Sequence, residues 1–170
     1  MKPRTKIGTA HTPGGKELTL YEHDGQHEIR IDGIALMGSR RTHSEEELAR
    51  LACEGLAPRP AVLIGGLGIG YTLRATLDLL PADARVIQVE LVDEIVTWNR
   101  GPLAHHAGHP LDDPRTELVV DDVADAIARH RGDLDAILLD VDNGPNAVIE
   151  KTNSRLYTNR GITMLRRALK

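Results

Sequence analysis

The sequence predicts an α/β fold, a doubly wound parallel sheet preceded by a small antiparallel β-hairpin region. Three observations carry this reading. Alternating apolar and polar segments near the N-terminus are punctuated by Asp24-Gly25 and Asp32-Gly33; from residue 61 onward short apolar strands alternate with helix-period segments; and a glycine-rich turn joins the first of those strands to its helix. A chain of 170 residues suits a single compact unit. The change of rhythm divides it into a hairpin region, residues 1–43, and an α/β part, residues 44–170.

Glu17-Leu18-Thr19-Leu20-Tyr21-Glu22 and His27-Glu28-Ile29-Arg30-Ile31 alternate with period two and are joined by a turn, which makes them an antiparallel hairpin with His23 and His27 in solvent. Ser44-Glu45-Glu46-Glu47 has the form of a capping box, and Leu48, Leu51, Ala52 and Leu56 follow at helical spacing until Pro58 and Pro60 end the element. Ala61-Val62-Leu63-Ile64 is a fully apolar strand. The crossover helix after it runs from Gly70 to Leu80 and stops at Pro81. Arg85 to Glu90 forms the second strand of the sheet, and Asp93 caps a short helix behind it. Thr116 to Val120 and Leu134 to Leu139 are the third and fourth strands, with a helix over Val123 to Arg131 between them and a last helix over Thr158 to Lys170. Gly101 to Arg115, rich in Pro and His, reads as a long irregular loop.

Composition narrows the function. Apolar residues make up 41% and charged residues 27%, with one Trp, three Tyr and no Phe, so the composition is globular and the core rests on Leu, Ile, Val and Ala. A net charge of −4, from 21 basic and 25 acidic residues, offers no overall positive field, and neither nucleic acid nor a membrane surface is expected as a partner. The single cysteine, Cys53, excludes an internal disulfide and a thiolate zinc site. No apolar run has the length of a signal or a membrane span, and a cytoplasmic location is expected.

The chemistry concentrates at Gly65-Gly66-Leu67-Gly68-Ile69-Gly70. Glycine permits a tight turn between strand and helix and lets a ligand approach the helix N-terminus. Glu90, at the end of the next strand, stands where an acid bonds the ribose hydroxyls of an adenosine ligand. A dinucleotide fingerprint counted from Gly66 meets the large Tyr71 where close helix packing asks for a small residue, so NAD takes second place. Counted as Gly66-x-Gly68-x-Gly70, the turn resembles motif I of class I S-adenosylmethionine-dependent transferases.

Four stretches extend the resemblance: Val62-Leu63-Ile64-Gly65-Gly66, Val89-Glu90-Leu91-Val92-Asp93-Glu94-Ile95-Val96, Val120-Asp121-Asp122, and Asp135-Ala136-Ile137-Leu138-Leu139-Asp140-Val141-Asp142-Asn143-Gly144-Pro145. From about Glu17 onward the chain resembles the spermidine synthase-like proteins, with an N-terminal hairpin region before a Rossmann-like sheet of class I methyltransferase type. The resemblance implies an aminopropyl or methyl transferase that uses decarboxylated S-adenosylmethionine or S-adenosylmethionine, with a small amine as acceptor. It implies that Gly65, Gly66, Gly68, Gly70 and Leu91 line the cofactor, that Glu90 takes the ribose, and that Asp122 contacts the adenine amino group. Asp140 would face the reacting amine, with Asp142 as a second catalytic carboxylate. The physical reading agrees, because aminopropyl transfer needs a carboxylate to hold a cationic amine and relieve it of a proton. The plainer alternative makes Asp140 a turn cap and Asp142 a solvated Asx-turn residue.

Two departures from the family stand out. Gly68 occupies the position of an acid that binds the amine of the decarboxylated cofactor, and Asp140-Val141-Asp142-Asn143-Gly144-Pro145 is shorter than the family's fourth-strand motif. Methyl transfer to a small molecule therefore stays open. His105-His106-x-x-His109 falls between Pro102 and Pro110, where solvated loop histidines are expected and no metal is assigned. Trp98 either stacks on the adenine or packs in the core. In the resembling family a further strand and a hairpin follow the last helix. Without them the sheet order is 3-2-1-4 and the apolar fourth strand is an edge, which suggests a homodimer or a catalytically silent dimerising domain or incomplete chain.

Overall fold

Four strands in meander order open the chain in the computed structural model, which describes residues 3–40, 42–141 and 151–170. These are β1 (Thr5–His11), β2 (Glu17–His23), β3 (Gln26–Ile31) and β4 (Ile34–Gly38), all antiparallel to their neighbours. The sequence reading located the two middle strands; β1 and β4 carry too little alternation to stand out. Asp24 and Asp32 sit at positive φ before the glycines of their turns, the left-handed geometry that tight hairpins require. Leu18, Leu20, Ile29 and Ile31 turn the same face of this sheet inward and are fully buried.

Helix α1 (His43–Cys53) follows. Its N-cap is Thr42 and not Ser44, because Ser44 Oγ bonds the neighbouring Glu45 carboxylate while the Thr42 hydroxyl donates to Glu46 Oε1 at 2.7 Å. The second sheet is parallel: β5 (Ala61–Gly65), β6 (Arg85–Glu90), β7 (Thr116–Val120) and β8 (Ala136–Leu139) lie in the order β7-β6-β5-β8, the 3-2-1-4 arrangement expected from the sequence. Helices α2 (Tyr71–Leu79), α3 (Asp93–Arg100), α4 (Val123–Ala128) and α5 (Asn159–Ala168) connect and cover it.

The strands read as unbroken apolar runs because both faces are covered. Val62, Ile64, Val86 and Leu138 face a core shared with α1, α2, α3 and the inward side of the antiparallel sheet. Leu63, Ile87, Val89, Ile137 and Leu139 face a second core built from α4, α5 and Leu156. The first of these cores runs continuously from β2 to β8, so the hairpin sheet packs on the α/β part. Tyr71, too large for a dinucleotide fingerprint, has a place because its hydroxyl reaches back to the Ser39 carbonyl at 3.0 Å.

Two further expectations are corrected. α4 ends at Ala128, short of Arg131, and β8 begins at Ala136, because Leu134 is drawn into a bridge with Leu169 beyond α5. The segment after α3 is ordered by two short 3-10 turns, Ala104–Ala107 and Pro110–Asp112, with Gly108 and His109 at positive φ between them. Of the two readings of Trp98 the structure shows the packed one: it is buried against β1, where the space at Gly8 is filled by its indole, and it does not line the cleft described below. No described helix is long and apolar enough to cross a membrane.

Candidate active site

A cleft of about 310 Å³ opens where the carboxyl ends of β5, β6 and β8 meet the antiparallel sheet. In an open α/β sheet the strand order reverses between β5 and β8, and the crevice there is where ligands bind. Its polar side is formed by Gly66, Gly68, Glu90, Asp121, Asp122 and Asp140. Leu18, Ile29, Leu36 and Met37 of the hairpin sheet supply an apolar wall, and α1 contributes Ser44 and Glu45.

The glycine turn is shaped by contacts that only glycine allows. Gly66 lies at φ +88°, and a Cβ there would collide with the carbonyl of Asp140; its N–H donates to Val89 O at 2.9 Å. Gly68 also has positive φ, but the atoms a Cβ would meet are the flexible end of Met37. Glu90 holds the turn from beneath: Leu67 N–H donates to one carboxylate oxygen at 2.8 Å and Val92 N–H to the other at 2.9 Å. Burial pushes the Glu90 carboxyl above its ordinary range, and these backbone bonds partly oppose that rise. Two residues the sequence reading passed over complete the support. Gln88 Nε2 donates to Gly66 O at 2.9 Å, and Asn99 Nδ2 donates to Gly68 O at 2.8 Å.

Asp140 ends β8 directly across from this turn. Thr72 donates its hydroxyl to Asp140 Oδ2 at 2.5 Å. Burial raises the Asp140 carboxyl, the Thr72 bond opposes the rise, and the charge of Glu45 adds to it. Asp122 caps α4 by accepting from Ala124 N–H at 2.8 Å and pairs with Arg155 Nη2 at 2.5 Å; Asp121 pairs with Arg129. Among the described residues no lysine, arginine or histidine lines the cleft. Glu45, Glu90 and Asp140 thus face it without a cationic partner among those lining residues, an arrangement suited to a positively charged ligand above an apolar floor.

No protein-family model matches the sequence, and no curated protein matches it. Solved structures do match. A spermidine synthase in complex with the transition-state analogue AdoDATO superposes with a TM-score of 0.80 at 24% identity over 97% of this chain. The spermidine synthase from Thermotoga maritima gives 0.77 at 23% identity over 97%, and a probable spermidine synthase from Corynebacterium glutamicum gives 0.65 at 18% over 98%. The fold is that of the spermidine synthases. The chain spans 55%, 54% and 61% of those proteins, a little over half their length.

Within this spermidine synthase-like fold, Gly66, Gly68, Glu90, Leu91, Asp122 and Asp140 line one cleft. Gly65 and Gly70 do not. Gly65 lies against Val123, and Gly70 is the left-handed N-cap of α2, packed beside Pro110 and Asn99. Asp142 lies outside the described residues. Met37 and Glu45 were not legible as site residues, because the sequence separates them from the glycine turn and only the packing of the hairpin sheet and α1 brings them to it. The histidines also depart from expectation. His27 is buried, and its Nδ1 lies 2.7 Å from His106 Nε2 across 79 residues of sequence, so neither is a solvated loop side chain.

Proposed function

We propose that this cleft binds the adenosyl group of S-adenosylmethionine or its decarboxylated form and transfers an aminopropyl or methyl group from it to a small amine. The observation that carries the reading is the convergence of Glu45, Glu90 and Asp140 on a glycine turn, without a basic residue among the described lining. A sulfonium and an amine are both cations, and each is held by carboxylates. One protein of the same fold is a spermidine synthase in complex with AdoDATO, which supports the adenosyl reading.

In this reading the ribose hydroxyls meet Glu90, and the adenine lies toward Asp122 at the head of α4. The acceptor nitrogen attacks the carbon bound to sulfur; the new C–N bond forms as the C–S bond breaks, the electron pair leaves with the neutral thioether, and the nitrogen gives up a proton. In this reading Asp140 holds the amine and takes that proton, and its raised carboxyl suits proton transfer better than an exposed aspartate. Thr72 fixes one oxygen of this carboxylate and leaves the other for the amine. Methyl transfer is the second reading. It is favoured by Gly68, where the resembling family carries the acid that meets the ammonium of the decarboxylated cofactor.

Calorimetric titration with S-adenosylmethionine, its decarboxylated analogue and NAD tests the proposal, followed by product analysis with putrescine as acceptor. Binding of an adenosyl sulfonium and not of NAD supports it. Binding of NAD alone overturns it.

A further inference from the structure

Three histidines meet on the inward face of the hairpin sheet, which His27 shares with Ile29 and Ile31, and none of them lines the adenosyl cleft. His27 comes from β3; His105 and His106 come from the 3-10 turn Ala104–Ala107 that follows α3. One ring nitrogen from each lies within 4.8 Å of the others. The ring of His106 stands 4.0 Å from that of His105 and 4.9 Å from that of His27, centre to centre. We propose that His27, His105 and His106 form a three-histidine site for a divalent first-row transition ion such as zinc, clipping the hairpin sheet to the α/β part.

The donor set decides the class of ion. Three imidazole nitrogens suit zinc, copper, nickel or cobalt, whereas magnesium and calcium require oxygen ligands. Zinc–nitrogen bonds of about 2.0–2.1 Å place tetrahedral ligand atoms about 3.4 Å apart, so small side-chain rotations bring three nitrogens already within 4.8 Å into range. Three protein ligands leave a fourth position for water.

The surroundings favour coordination over a bare imidazole pair. His27 is buried, and the hydrogen-bond partner its ring has among the described residues is another imidazole, an unusual way to satisfy a buried ring. Glu22 is the register partner of His27 across the β2–β3 pair, and its carboxylate accepts from Gly25 N–H at 2.8 Å.

The test uses the full chain stripped of metal by a chelator and titrated with zinc. One zinc ion per chain is expected, with a rise in melting midpoint of roughly 5–10 °C at zinc about a hundred-fold above its Kd. Cobalt in place of zinc should give the visible absorption of a four-coordinate ion. His105 is exposed, so His105→Gln should fold normally and weaken zinc binding by more than about 100-fold, beyond the effect of losing an outer-shell partner. His109→Gln, outside the cluster, should change nothing. Absence of stoichiometric binding, or binding that survives His105→Gln, overturns the site. The outcome is independent of adenosyl binding, since no ligand of one site belongs to the other.

Discussion

Glu90 shows how much a single side chain does in this fold. A strand-end acid reads from the sequence as a candidate ribose ligand; the structure shows both its oxygens accepting backbone N–H groups of the glycine turn and the residues after β6. Glu90→Ala should therefore lower affinity for the adenosyl ligand by roughly 10- to 150-fold and also cost about 1–3 kcal/mol of stability, because two buried donors lose their partner. Titration calorimetry and urea denaturation separate the two effects. Asp140 gives a prediction with a definite sign in pH. Its folded carboxyl is raised above 3.8, so its ionisation disfavours folding: the associated stability is full below the ordinary carboxylate range and is lost as pH rises through the raised value. Asp140→Asn should accordingly raise the denaturation midpoint at pH 7, lose that advantage at acid pH, and abolish transfer. Gly68 invites the opposite experiment. Its positive φ is one that aspartate tolerates among the better of the L-residues, and only the end of Met37 must move. Gly68→Asp should fold and bind the decarboxylated cofactor preferentially, whereas Gly66→Ala meets the Asp140 backbone and should lose stability.

Among the elements, the junction of α2 with β7 depends on Arg115. Its guanidinium donates to Leu77 O and Leu80 O, both at 2.8 Å, closing the C-terminal end of α2, and pairs with Asp113 Oδ2 at 2.8 Å. The Arg115 bond holds the Asp113 carboxyl down to about 2. A depressed folded pKa contributes stability that is present above the ordinary value and lost as pH falls from there through about 2. Arg115→Met should cost about 1–3 kcal/mol at pH 7 and flatten that acid limb, as read by denaturation at several pH values. None of this was visible in the sequence, where Gly101 to Arg115 read as an irregular loop. The segment's order comes from short-range turns and from carbonyls of a distant helix, and neither leaves a hydrophobic period. The parallel strands, by contrast, were legible as apolar runs between helical periods, because burial on both faces forces that pattern.

At the scale of the whole molecule, β8 pairs with β5 on one side, and on the other the described residues show only the bridge between Leu134 and Leu169. An apolar edge strand presents unpaired backbone groups to a second chain. A chain that leaves this edge open either associates, most simply as a symmetric dimer, with light scattering approaching twice the monomer mass and amide exchange in β8 slowing as concentration rises, or is poorly soluble and marginally stable. A stable monomer at high micromolar concentration would rule this out.

Periodicity, turn chemistry and the placement of glycines were sufficient, in the sequence alone, to set the order of the parallel strands and their helices and to locate the glycine turn and Glu90, because each depends on residues close together in the chain, while Asp140 was singled out by the family resemblance. Tertiary structure decided what faces that turn. Met37 and Glu45 enter the cleft, Gly65 and Gly70 fall outside it, and His27 meets His106, through the packing of elements distant in sequence. Such contacts arise from the burial of two apolar surfaces whose partners are far apart in sequence, and apolar burial is non-directional, so no local pattern encodes which residues it will bring together.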